Sequence, residues 1–171
     1  MGKKYKCSYC GEKGHNIRRC PGYHNSTVVS ANKTLRVRTQ LKEICIKQGF
    51  GIGCIVLVDM RLWDNIMHEY INVDTVGIVE DIFWKHLFWN HLSGDRGMNG
   101  AVKISFTHPK TNIRAYITTA LPPTIQAELG IESSFVRRAI LEIVGKTEHL
   151  GIPEDFLDLE KIKEEESARL K

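Results

Sequence analysis

An α+β fold is what the sequence predicts: a short Cys/His-rich module, then a small curled sheet or barrel, SH3-like if closed, with flanking helices. Three observations predict it. Three of the five cysteines fall within the first 20 residues, with His15 among them. Between residues 53 and 120 the apolar residues fall in short strand-like segments, a continuous run at 54–58 and period-two alternation with polar residues over 102–107 and 113–118. On either side of that span, apolar residues recur at helical spacing. The chain has 171 residues and an apolar share of 42%, enough for a core, which excludes disorder for most of it.

The elements follow in order. Residues 1–24 form the Cys/His module. Residues 25–32 (Asn-Ser-Thr-Val-Val-Ser-Ala-Asn) are small and polar and read as a linker, so the module is expected to fold apart from the rest. Residues 33–150 read as an α+β domain. It opens with a helix to about residue 48, in which Val37, Leu41, Ile44 and Cys45 make one apolar face and Lys33, Arg36, Arg38, Lys42 and Lys47 occupy the others. Gly49, Gly51 and Gly53 stop that helix. Cys54–Val58 is a continuous apolar run suited to a buried strand, and Val76–Trp84 is a second strand. Val102, Ile104 and Phe106 alternate with polar residues, as do Ile113, Ala115 and Ile117. His108-Pro-Lys-Thr111 supplies a turn, so residues 101–119 read as a hairpin. The spacing of Val136, Ala139, Ile140, Ile143, Val144 and Thr147 predicts a helix over 134–149. Residues 151–171 form a last helix and charged tail, packed through Phe156, Leu157, Leu159 and Ile162. Glu164, Glu165 and Glu166 share no apolar face, so the end is expected to fray.

The chemistry is concentrated in Cys7-Ser-Tyr-Cys10-Gly-Glu-Lys-Gly-His15-Asn-Ile-Arg-Arg-Cys20, a C-x2-C-x4-H-x4-C spacing. Three thiolates and an imidazole are the donor set for a tetrahedral zinc ion. Cys7 and Cys10 would grip it from one tight turn, and His15 and Cys20 would close the other side. Gly11 follows a ligand and Gly14 precedes one, where the backbone must bend around the ion. Four protein ligands leave no position for a catalytic water, so one structural zinc per chain is expected. An odd cysteine count with three in a metal-type cluster argues against a disulfide framework and suits a reducing, intracellular compartment. Cys45 and Cys54 sit in apolar runs and read as core thiols. His24 reads as a surface histidine rather than a fifth ligand.

Cys7, Cys10, Gly11, Gly14, His15 and Cys20, with Pro21 following, make residues 5–22 resemble the CCHC zinc-knuckle family. The resemblance implies binding of single-stranded RNA, or less often DNA. An unpaired base would stack on Tyr9 or Ile17, and phosphates would meet Lys3, Lys4, Lys6, Lys13, Arg18 and Arg19. Ser8 stands where many members carry an aromatic residue, and Tyr9 comes one position later. The family also includes knuckles that contact proteins.

Charge points the same way. Residues 1–49 carry eleven Lys/Arg against two Glu, a net +9, whereas residues 50–171 are net −5. The basic part, with Arg36 and Arg38 on its helix, is where a polyanion would dock. No apolar run reaches the roughly 18–20 residues of a membrane span, and the basic N-terminus has no apolar segment behind it, so neither a membrane partner nor a secretory signal is expected.

The remaining chain gives weaker signals. Phe83, Trp84, Phe88 and Trp89 read as core before they read as a stacking surface. Asp81, His86, His91 and Asp95 match no ligand or acid–base spacing, and no nucleotide-loop or hydrolase motif occurs. Residues 90–100 read as a loop. The expected function is non-enzymatic: the knuckle holds single-stranded nucleic acid, and the 50–150 region positions it or recruits a protein partner. The alternative is a subunit of a large ribonucleoprotein or transcription complex whose knuckle contacts protein as much as RNA.

Overall fold

The structure, a computed structural model, describes residues 6–64, 68–84, 101–130 and 140–170. It divides into two compact units. One joins the two ends of the chain, residues 1–39 with 154–171, and the other spans residues 40–153.

The larger unit is built on a five-stranded antiparallel sheet, β1 (Ile55–Asp64), β2 (Glu69–Ile82), β3 (Val102–Thr107), β4 (Arg114–Thr119) and β5 (Ile140–Gly145), in the order β4-β3-β2-β1-β5. The order is linear, with β4 and β5 as the two edges, so the sheet is open and the closed SH3-like barrel is not what forms. Period-two alternation divides its faces. Val56, Val58, Val79, Ile104 and Phe106 are buried, and Ile55, Val76, Ile78 and Tyr116 on the other face are exposed. The 101–119 hairpin pairs Val102 with Thr119 and Thr107 with Arg114, as the alternation predicts.

The region 140–149 corrects the expected helix. Residues 140–145 form β5, which pairs Val56 with Ile143 and Val58 with Ile140 along the otherwise open edge of β1. The Ile-Leu-Glu-Ile-Val run is rich in β-branched residues, and a free ladder outweighs its weak 3.6-residue stripe. Val144, a member of that stripe, is exposed. The first part of that expected helix, residues 134–139, and the loop 90–100 lie outside the described residues.

Helix α1 runs Pro21–Gln48 without interruption, which corrects the expected linker at 25–32. That segment is small and polar because its buried positions face a polar partner. Thr27, Ala31, Thr34 and Arg38 are all buried, at spacings of four, three and four residues, a helical seam written largely in polar side chains. At its other end the helix closes as a glycine stop requires: Gly49 N–H donates to the Ile46 carbonyl (3.2 Å) and Phe50 N–H to Cys45 (3.0 Å).

A short helix α2 (Pro123–Glu128) belongs to the larger unit, and α3 (Leu159–Arg169) to the smaller. Asp158 caps α3 by accepting from the Glu160 and Lys161 backbone N–H groups at 2.8 and 3.2 Å. The expected frayed end at Glu164–Glu166 is corrected here. Glu166 is buried and accepts from Ser30 Oγ (2.6 Å) and Thr34 Oγ1 (2.9 Å), and Glu165 accepts from Arg38 (2.6 Å). These carboxylates are the polar face that the α1 seam requires.

Candidate metal centre

The local chain delivers four donors to one point. Lys6 and Lys13 form an isolated antiparallel bridge, Cys7 N–H donates to the Glu12 carbonyl (2.7 Å), and Gly11 N–H donates to the Cys7 carbonyl (2.9 Å). This miniature hairpin carries Cys7 and Cys10. Gly11 and Gly14 have φ of +76° and +104°, backbone that a side chain disfavours, and the glycines at both positions meet that need. A 3-10 turn over Ile17–Arg19 then brings in Cys20, whose carbonyl accepts the first helical bond of α1 from His24 N–H at 3.1 Å. Pro21 fits the first position of that helix because the amide it lacks would have no intrahelical partner.

The ligand atoms of Cys7, Cys10, His15 and Cys20 all lie within 4.8 Å of one another, and Cys10 Sγ is 3.3 Å from His15 Nε2. Bond lengths of about 2.3 Å to sulfur and 2.0–2.1 Å to nitrogen put tetrahedral neighbours about 3.5–3.8 Å apart. The donor set therefore fits one metal ion, and Nε2 is the imidazole atom that faces it. Among the described residues no other such group occurs. Backbone N–H groups of Cys10 and, after it, Tyr9 point at the Cys7 sulfur and hold its thiol at about 7, below the ordinary 9.0, against the opposing effect of burial. The Glu12 N–H pulls Cys10 down, but desolvation and the neighbouring Cys7 and Cys20 sulfurs outweigh it and leave that thiol raised. Three sulfurs crowded together repel one another as thiolates, and a cation among them relieves that repulsion.

Cys7 and Cys20 are buried with Tyr23, and Ile17 and Leu170 pack against them. The module thus has a small apolar core, shared with the first turn of α1 and the end of α3. Tyr23 Oη donates to the Ser167 carbonyl at 2.7 Å, and Ser167 Oγ lies 2.6 Å away. Tyr23, Ser167 and Leu170 carry no motif, and only the fold brings them to the ligands.

The expected contact residues divide. Lys6, Lys13, Arg18 and Arg19 are exposed around the ligand cluster, and Arg36 is exposed on α1. Lys3 and Lys4 lie outside the described residues. Tyr9 is 39% exposed, its hydroxyl donates to Ser26 Oγ (2.7 Å), and its ring meets Tyr23 edge-on at 5.6 Å. Ile17 is half-buried against the ligands, so Tyr9 is the better presented platform. Arg38 is a correction. It is 2% exposed, donates to the Phe156 carbonyl (3.0 Å) and to Glu165, and lies 4.9 Å from the Phe156 ring centre, so its charge is used inside the fold. His24 lies outside the donor set and its Nε2 donates to the Arg18 carbonyl at 2.7 Å.

Cys45 and Cys54 are fully buried, and burial pushes Cys45 up to about 12 and raises Cys54 as well. Trp84 is buried, as a core residue would be, whereas Phe88, Trp89, His86, His91 and Asp95 lie outside the described residues. No described helix is long and apolar enough to cross a membrane. Comparison of the chain with protein families, with characterised proteins and with solved structures finds no match.

Proposed function

We propose that this is a non-enzymatic zinc protein that holds single-stranded nucleic acid, RNA in preference to DNA, at the Cys7–Cys20 module. One observation carries the reading: a closed Cys3His donor set is surrounded by the exposed cations Lys6, Lys13, Arg18 and Arg19, with Tyr9 half-exposed among them. Zinc supplies structure here, since four protein ligands complete its tetrahedral shell. The chain's own residues do the binding. The four cations meet phosphates, Tyr9 offers a ring whose tilt is fixed through Ser26 and Tyr23, and Arg36 extends the basic surface along α1. Glycine-bent backbone and the zinc together hold these side chains in place without a large core.

A second reading has its own support. Val28 and Val29 are 43% and 69% exposed on α1, a few residues past the ligands. An apolar pair there favours a protein contact, as a subunit of a larger ribonucleoprotein or transcription complex would make.

The test is metal analysis followed by titration. Purified protein should hold one zinc per chain, lost in Cys20→Ser and kept in Cys45→Ala. Affinity for an oligonucleotide should fall with salt at a log–log slope of about −3 to −4 for four to six phosphates, at roughly −0.7 each. Arg18→Ala with Arg19→Ala should flatten that slope, and Tyr9→Ala should weaken binding by about 1–3 kcal/mol. Salt-independent binding, or an unchanged slope in the double variant, refutes the reading.

A further inference from the structure

The Tyr9 ring lies against the first turns of α1, and the helix carries its line onward. The Tyr9 hydroxyl donates to Ser26 Oγ at 2.7 Å, and a methyl group placed on Gly22 would touch Tyr9 Cε1 at 3.7 Å. At 3.6 residues per turn, positions 22, 26, 29, 33 and 36 follow one another along one side of the helix. Beyond Ser26 that side reads Val29, Lys33 and Arg36, and all three are exposed. Val29, at 69%, is the most exposed large apolar side chain among the described residues. From Ser26 to Arg36 the helix rises about 15 Å.

This side is positive once the acids of the unit are placed. No acidic residue occurs from Lys13 to Thr39, and residues 6–39 carry seven Lys/Arg against Glu12 alone. Neither Lys33 nor Arg36 has an acid three or four residues away on α1, and the next one along the helix is Glu43. The other acids of the smaller unit are in residues 154–170, seven against three Lys/Arg. They are engaged elsewhere. Glu165 and Glu166 meet Arg38, Ser30 and Thr34 at the seam, and Glu154 and Asp155 belong to the turn that brings Phe156 to Arg38. Asp158 caps α3, while Glu160 and Glu164 pair with Lys163 and Lys161 of the same helix. The seam of Thr27, Ala31, Thr34 and Arg38 lies about a third of the way round α1 from the line of Val29 and Lys33.

An aromatic ring, then an uncovered apolar side chain, then two cations in one line match the needs of an unpaired strand. Bases rest on the first two, and phosphates meet the last two. A protein interface of ordinary size covers about 800 Å² on each partner around an apolar centre from which lysine is depleted. A single valine followed by Lys33 and Arg36 does not supply such a centre. We propose that the strand held at the metal module runs on from Tyr9 along α1, with a second base over Val29 and its following phosphates on Lys33 and Arg36. The inference rests on the binding proposed for the Cys7–Cys20 module and gives that strand its path beyond the zinc ligands.

The experiment uses the full zinc-loaded chain and a fluorescent oligo(U) of about 12 nucleotides, within the site sizes single-strand binders occupy. Lys33→Gln with Arg36→Gln should reduce the magnitude of the log–log salt slope by about 1.4, the share of two phosphates. Val29→Ser should weaken binding at least about 3-fold, the worth of a few tens of Å² of apolar contact. Val28→Ser, at 43% exposure the neighbouring control, should bind like the parent because adjacent helical residues do not share a face. A parental slope in the Lys33/Arg36 variant overturns the proposal, as does an equal loss in Val28→Ser and Val29→Ser. Loss of a co-purifying protein from Val29→Ser with parental oligo(U) binding overturns it too. Arg18→Ala with Arg19→Ala separates this failure from that of the module. If that pair flattens the slope while the Lys33/Arg36 variant keeps it, the module binds and the path along α1 is wrong. If the Arg18/Arg19 pair has no effect, the strand is not held at the module and both readings fall. Zinc content and thermal melts should match the parent throughout, since every substituted side chain is exposed, and the Lys33/Arg36 variant keeps the test decisive if Val29→Ser melts early.

Discussion

Glu166→Ala should loosen the C-terminal helix far more than its place in a run of three glutamates suggests. Its carboxylate accepts from Ser30 Oγ at 2.6 Å and from Thr34 Oγ1 at 2.9 Å, and Arg169 Nη1 lies 3.6 Å away. Hydrogen bonds to a charged group contribute about 1.5–3 kcal/mol each, and a buried hydroxyl left without its acceptor costs more than an exposed one. Thr34 is 2% exposed and loses its partner inside the fold, whereas Ser30 is half-buried and water replaces part of what it loses. Relief of the desolvated carboxylate offsets a further part. The balance is a loss of about 3 kcal/mol. Native-state hydrogen exchange on α3 reads this directly, since opening of that helix should become about 100-fold more frequent at tenfold per 1.4 kcal/mol. Glu166→Gln keeps an acceptor and should lose less. Glu164→Ala, an exposed residue paired with Lys161 one turn away, should change exchange by less than about 3-fold. If Glu166→Ala and Glu164→Ala exchange alike, the carboxylate is a surface group and the α1 seam is held by something else.

Three further outcomes rest on the same geometry. With zinc removed by a chelator at pH 8, a thiol reagent should modify Cys7, Cys10 and Cys20 in the folded chain, and reach Cys45 and Cys54 only on unfolding. Because the folded Cys45 thiol titrates at about 12 and the unfolded one near 9.0, its stabilising contribution is complete below pH 9 and is lost as pH rises toward 12, which urea midpoints across that range would register. Leu170→Ala, which trims a contact to the ligand cluster, should weaken zinc retention by roughly tenfold in competition with a chromophoric chelator, because metal affinity and folding of this unit are linked. Unchanged retention would separate α3 from the metal site.

Much of the sheet and the donor set were legible in the sequence because each rests on local rules. The C-x2-C-x4-H-x4-C spacing fixes its own geometry, the β3–β4 alternation has period two over each strand, and the glycines after Gln48 stop a helix with few alternatives. What was not legible depended on partners far along the chain. The seam of α1 is Thr27, Ala31, Thr34 and Arg38, which reads as polar linker and basic surface until Glu165 and Glu166 stand opposite. Arg38 therefore looked like a phosphate contact when it is an internal ion pair. The strand at 140–145 was hidden for a related reason: a 3.6-residue stripe is a statement about one segment, whereas the free edge of β1 is a statement about the whole sheet.

The polar seam also explains how a small metal module comes to share a core with the end of the chain. An apolar α1–α3 contact would tolerate sliding by a turn, about 5.4 Å, with little change in buried area. Here each contact names a position. Tyr23 meets Ser167, Ser30 and Thr34 both meet Glu166, and Arg38 reaches Glu165 and the Phe156 carbonyl. A slip of one turn would leave Glu166 and Arg38 as buried charges without partners, which is far more costly than the lost contacts alone. That penalty sets the register of α3 on α1, and the register sets where the residue that caps its end falls. Leu170 follows Ser167 by three positions, on the same side of the helix, and so arrives against Cys7, Cys20 and Tyr23. The run of charges at the C-terminus, the least informative stretch when read alone, is thus what fixes an apolar side chain over the metal ligands.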